Sequence, residues 1–305
     1  MASRKDKMNV FNNIMQAWEE NTTTPFYNES SEPQLDYGFL RSLLAIPVEN
    51  GSSVRSGVFA NALDLWLARE FEHAGFTDEC IWPRMEEPRA MDPSLVHALG
   101  AVSSLTPPQT EMLMHAGGAQ KDANVMGSVY TKQVDVGMSN WLSGPEMLVS
   151  TKTMSASFGK NLPNRFEEAY GDVKNLRERY PLAAHGFVFL AHASILDEPS
   201  AFEKATHMLR QLSRNGEVYD AVALLIAYWD TSADIEVSDD DAIDKSNSWT
   251  DVATVTFPER AVKAIPPDLS CEHFFKTIID IVLANSPVDA HAEARKRLQD
   301  AACRE

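Results

Sequence analysis

Three residues in one stretch of the chain have side chains suited to hydrolysis: Asp135, Lys152 and Glu168. Two carboxylates can hold a hard divalent ion through oxygen, and a nearby cation helps hydroxide form from water. That set serves the cleavage of phosphodiesters. Bringing the three together requires a β-hairpin and the helix that follows it. Residues 128–138 are rich in Val and Tyr, residues 146–154 alternate well enough to return, and the intervening NWLSGP supplies a turn.

With the turn centred on residues 141–144, Asp135 falls opposite Ser150, and Lys152 lies two residues further along the same face. A diagonal neighbour across an antiparallel pair is about 7–8 Å away, within reach of one shared ion and water. Glu146 shares the face but stands roughly 20 Å from Lys152 at the rise of a strand, so it reads as a strand-end residue. A helix is predicted over residues 164–180, because Leu162, Phe166, Ala169, Val173, Leu176 and Tyr180 repeat at spacings of four and three. Asn164 is its expected N-cap, with Glu167 in capping-box position. Stepping 100° per residue from the apolar face points Glu167 away from the sheet and leaves Glu168, Asp172 and Arg165 on the flanks. Glu168 is therefore the better second carboxylate. Glu167 remains the alternative, better explained by capping.

The rest of the chain predicts what carries these elements. Helices are expected over residues 5–20, 37–46, 54–74, 199–214, 272–284 and 289–302. Short strands are expected at 78–83 and 252–257. The apolar runs at 184–193 and 218–229 suit strands covered on both faces. Residues 88–118, with helical patches and four prolines, read as an inserted helical lobe. The expected fold is α/β, a mixed sheet flanked by helices. The expected division is an N-terminal helical extension (1–50), a core (51–230) and an acidic loop with C-terminal helices (231–305).

Composition narrows the classes. No apolar run is long enough to span a membrane, and the N-terminus lacks the apolar segment of a signal peptide. The three cysteines show neither zinc spacing nor a disulfide framework, which suits a reducing cytoplasm. A net charge of −17 argues against nucleic acid as a partner. Its distribution softens that objection. Residues 152–179 hold six basic residues against four acids, whereas Asp230–Asp244 holds seven acids and no base, the composition of a solvated loop. HExxH, GxSxG, Walker and GxGxxG patterns are missing, and His185 and His192 read as satisfied core-edge residues. Trp141, at the hairpin tip, reads as a packing residue that could touch nucleic acid.

An Asp on one strand and a residue-x-Lys on the next resembles the PD-(D/E)xK, or restriction-endonuclease-like, nuclease superfamily. The match covers roughly residues 54–229. It departs from the pattern twice: Val134, not Pro, precedes Asp135, and Ser150, not an acid, stands two before Lys152. Ser150-Thr151-Lys152 with Glu168 is similar to a branch that carries Ser-x-Lys and takes its second carboxylate from the following helix. The resemblance implies a restriction-endonuclease-like fold with helical additions. It implies a Mg²⁺-dependent (or Mn²⁺-dependent) endonuclease of double-stranded DNA, working as a homodimer or higher homo-oligomer in a prokaryotic or phage-related cytoplasm. Asp135 and Glu168 would hold the ion, with the carbonyl of Thr151 or Val149 as a further oxygen ligand. Lys152 would act on the water, and Ser150 would bond a metal-bound water. Lys160 and Arg165 would contact DNA phosphates. The helix before the hairpin often donates another acid in this superfamily, for which Asp64 and Glu70 are the options. A protein that keeps the fold without catalysis, as a binding module, is the competing expectation. A same-fold nuclease of repair or phage defence is a third.

Overall fold

The fold is that of a computed structural model, which describes residues 7–21, 24–50, 57–84, 123–140, 142–229 and 255–303, with scattered positions between 90 and 112. Among these residues the centre is a six-stranded mixed sheet. Its strands are β1 (Ile81–Trp82), β4 (Val136–Asn140), β5 (Gly144–Met154), β6 (Ala184–His192), β7 (Ala221–Trp229) and β8 (Val255–Thr256), adjacent in that order. The pairs β5–β6 and β6–β7 are parallel, and the outer pairs are antiparallel. A separate antiparallel ribbon is formed by β2 (Ala123–Met126) and β3 (Thr131–Val134).

Each parallel connection carries a helix, as a crossover requires. Between β5 and β6 runs α4 (Phe158–Arg179), and between β6 and β7 runs α5 (Pro199–Ser213). The apolar runs of the two central strands resolve by parity. Val188 and Leu190 of β6, with Ala223 and Leu225 of β7, join one core cluster. Their alternates Phe187, Phe189, Val222 and Leu224 join a second, with Phe166, Ala169 and Val173 of α4. The first cluster is covered by α1 (Asn12–Asn21), α2 (Tyr37–Glu49), α3 (Val58–His73), α7 (Cys271–Asn285) and α8 (Ala292–Ala302), so one core runs from Met8 to Ala301. A short helix, α6 (Glu259–Ala264), precedes α7. Gly186 of β6 lets α7 approach the sheet: a Cβ there would stand 2.7 Å from the Phe274 ring and 3.1 Å from Val149.

Three sequence expectations need correction. Residues 128–138 are not one strand. The chain breaks at Asp135, β3 pairing with β2 and β4 with the main sheet, because the Asp135 side chain takes the backbone N–H that a continuing strand would use. The helix expected from Asn164 begins at Phe158, with Pro163 inside it, so Asn164 is no cap and no capping box forms with Glu167. Phe158 lies four residues before Leu162, which extends the same apolar stripe backwards. The region around residue 80 is a 3₁₀ turn (Asp78–Cys80) before a two-residue strand. Strand β2 and helix α6 were missing from the sequence reading. Most of the expected lobe at 88–118, the acidic loop at 230–244 and Trp141 lie outside the described residues.

Candidate active site at the edge of strand β5

Strand β5 is the element on which the site is assembled. The ladder pairs Val136 with Val149, so one step outward Asp135 faces Ser150, the pairing expected from the turn; a register shift between Met138 and Ser139 keeps that count. At this step β4 ends. The carboxylate of Asp135 fills the place of the missing strand and accepts the Thr151 N–H through Oδ2 at 2.8 Å.

Parity then sends the next side chains to opposite faces. Thr151 shares the parity of Met147 and Val149, whose side chains enter the core on the α3 side. Its hydroxyl donates to Asp64 Oδ1 of α3 at 2.7 Å. One residue thus holds two carboxylates, Asp135 by its backbone and Asp64 by its side chain. Helix α3 can bring an acid here because it is buried along most of its length, Asp64 included at 7 % exposure.

A buried carboxylate loses its hydration, and two of them repel. Both carboxyls respond. Burial, and then the neighbouring Asp135, push Asp64 well above the ordinary range against the opposing pull of Thr151 and Lys152. Burial raises Asp135 too, opposed by the Thr151 N–H, Lys152 and Lys132, while Asp172 adds to the rise. The site is therefore short of positive charge at its deepest point.

On the α4 side, Lys152 lies 4.0 Å from Glu168 Oε2, and Arg165 Nη1 lies 3.1 Å from the same oxygen. Glu168 is half exposed, so these pairs are weak. Glu167 is exposed, like Glu168, and the described contacts at the site involve Glu168. Among the described residues no set of three His, Cys, Asp or Glu side chains stands ready to hold a metal; the close acidic pair is Asp64 with Asp135, and Glu168 stands across Lys152.

The remaining candidates have definite places. Ser150 is buried and bonds the Tyr219 hydroxyl, which donates to the Ala169 carbonyl at 3.0 Å. Glu70 is buried at a distance from Thr151 along α3, where it accepts the Asp36 N–H at 2.7 Å and faces His73. Asp36 caps α2, so Glu70 ties the two helices together. Lys160 and Arg165 are exposed on the first half of α4. His185 and His192 are buried and satisfied, His185 by the Tyr180 carbonyl and His192 by Ser194 and the Trp229 carbonyl.

The sequence reading missed Lys132. It pairs with Asp172 Oδ2 at 2.5 Å, and Tyr130 donates to the other oxygen of Asp172 at 3.2 Å. Lys132 reaches the site because β3 lies across α4. Asn175 pins that ribbon by bonding the Val129 and Tyr130 N–H groups and the Tyr130 carbonyl. The break at Asp135 was the signal that would have found it, but a run of strand-forming residues conceals such a break.

No helix among the described residues is long and apolar enough to cross a membrane. Comparison of the chain with protein-family models, with curated proteins and with solved structures gives no match.

Proposed function

We propose that the protein is a metal-dependent nuclease of double-stranded DNA, with a PD-(D/E)xK-like site built from Asp64, Asp135 and Lys152. The observation that carries this reading is the joint hold of Thr151 on two buried carboxylates, with a lysine as the next residue. A protein gains nothing in stability from two adjacent buried acids, and such groups concentrate where function needs them.

The residues fit a hard divalent ion such as Mg²⁺ or Mn²⁺. Asp64 and Asp135 offer carboxylate oxygens, and each uses one oxygen for Thr151. In this reading the second carboxylate of the sequence expectation, Glu168, takes a different part. It positions the Lys152 ammonium from the α4 side. A bound divalent ion supplies a water of lowered pKa and stabilises charge on the phosphoryl oxygens. Lys152 holds the attacking water and balances the negative charge that develops on the phosphate. Thr151 fixes both carboxylates before substrate arrives. Lys132, Lys160 and Arg165 attract and position the DNA backbone, which a chain of net charge −17 needs in a local patch.

Nicking of supercoiled plasmid in Mg²⁺ tests the reading. Lys152→Ala should abolish cleavage while the chain stays folded by circular dichroism. Cleavage at the wild-type rate in that variant would remove Lys152 from the reaction.

A binding module with the same fold is the second reading. Its support is the ion pairing of Lys152 and Arg165 with Glu168, a neutralised surface where a catalyst would keep a free cation. It calls for DNA or protein binding without Mg²⁺-dependent turnover.

A further inference from the structure

A concave surface lies at the other end of β5, about Glu146. Thr151 is five residues away, roughly 17 Å along a strand. The cavity there has a volume of about 400 Å³ and is lined by Leu142, Ser143, Glu146, Leu182, Asn285 and Ser286, among others. That is within the range of small-molecule sites. Its rim is apolar and uncovered: Leu142 is 81 % exposed and Leu182 69 %, and Val288, next to the lining residue Pro287, is 89 % exposed. These are three of the four most exposed large apolar side chains among the described residues, so the patch is not scattered surface.

The floor is polar and of one kind. Glu146 is 5 % exposed. Its Oε1 accepts from Ser143 Oγ at 2.7 Å and Ser286 Oγ at 3.1 Å, and its Oε2 bonds His291 Nε2 at 2.9 Å. Burial works to raise the Glu146 pKa, but the bonds from His291, Ser143 and Ser286 outweigh it and keep the group ionised. A serine hydroxyl has one proton, and both serines spend theirs on Glu146. Asn285 gives an Nδ2 proton to the Leu182 carbonyl at 2.9 Å, which leaves its Oδ1 as an acceptor. None of the described lining residues is basic. What remains for a ligand is a carboxylate, lone pairs and the second Nδ2 proton of Asn285, below an apolar rim.

We infer that this cavity binds a small organic cation with an apolar body, an alkyl- or arylalkylammonium. Its N–H groups point to Glu146 and the Ser143 and Ser286 oxygens, and its hydrocarbon packs on Leu142, Leu182 and Pro287. An anion meets the Glu146 carboxylate with only the second Nδ2 proton of Asn285 to offset it, and a neutral alcohol brings no charge to that carboxylate.

Calorimetric titration of the full chain with n-hexylamine and phenethylamine tests this, with hexanoate and hexanol as controls. The amines should bind at least tenfold more tightly than either control. Glu146→Gln should weaken the amines at least tenfold. That variant also touches the His291 bond, so Leu182→Lys is the companion: it sits on the exposed rim, leaves the fold intact and places a like charge at the mouth. It too should cost tenfold or more. Binding of hexanoate as tight as hexylamine, or amine binding unchanged in both variants, overturns the inference. So does a Leu182→Lys chain that falls from dimer to monomer in light scattering, which makes the rim a self-association face. Lys152→Ala should bind the amines like the wild type, so failure here and failure of the nuclease reading are separate results.

Discussion

Asp64→Asn should make the protein more stable while it removes the proposed metal site. The bridge sets the scale. Asp135 Oδ2 is 2.8 Å from Thr151 N, and Thr151 Oγ1 is 2.7 Å from Asp64 Oδ1. A threonine's own N and Oγ1 are about 3 Å apart, so the two carboxylates lie within roughly 8 Å of each other. At an effective dielectric of about 20, two unit charges at that separation repel by about 2 kcal/mol. Asparagine keeps the size and an oxygen that accepts the Thr151 hydroxyl, so the hydrogen bond survives and the charge does not. A gain of about 2 kcal/mol raises the melting midpoint by about 4 °C in a chain of this size. The pH dependence ties the gain to ionisation of Asp64, which burial opposes first and the Asp135 charge second. Because the folded pKa of Asp64 lies above its ordinary value of 3.8, the stability linked to this group is present below that value and is lost as pH climbs towards the folded pKa. The variant does not titrate there. Its advantage should be near zero at pH 3.5 and grow steadily to pH 8, measured by thermal melts in EDTA. Mn²⁺ should then raise the wild-type midpoint and leave the variant's unchanged, which narrows the gap. A variant less stable than wild type at pH 8, or a gap that ignores pH, refutes the account of two repelling buried acids.

Three further outcomes follow from the same geometry. In the plasmid assay Glu168→Ala should cut the cleavage rate about tenfold through the loss of its hold on Lys152, while Glu167→Ala leaves it within twofold. Asn175→Ala removes three bonds to the β2–β3 ribbon and should cost about 2–3 kcal/mol in urea unfolding, with faster amide exchange at Val129 and Tyr130. Gly186→Ala pushes a methyl group to within 2.7 Å of the Phe274 ring and should destabilise the chain by about 1–3 kcal/mol, read in the same titration.

The elements around the site were legible because each carries a local signal. The apolar repeat of Leu162, Phe166, Ala169 and Val173 announced the helix and its facing side, and so separated Glu168 from Glu167. The turn at residues 141–144 set Asp135 against Ser150; the ladder closes at Asn140 and Gly144, and the register shift between Met138 and Ser139 brings the count to the same pairing. Helix ends and strand breaks were less legible. Phe158 extends the apolar stripe back across Pro163, past Asn164, which with Glu167 suggested a start. Asp135 interrupts a run of strand-forming residues with a hydrogen bond to a partner sixteen positions away.

The sequence by itself determined that a lysine-bearing strand is flanked by acids, that two central strands are buried on both faces, and that the helix after the hairpin packs its Phe166, Ala169 and Val173 stripe on the sheet. These follow from periods of two and of 3.6, which local covalent geometry imposes on any chain. Only the tertiary structure decided which acids meet. Asp64 lies eighty-seven residues from Thr151 and joins it because α3 is buried against the edge of β5. Lys132 arrives because Asn175 holds a ribbon over α4. Glu146, an ordinary strand-end acid in the sequence, becomes the floor of a cavity once α8 brings His291 against it. Contacts of that range depend on how whole elements pack, and no local period records them.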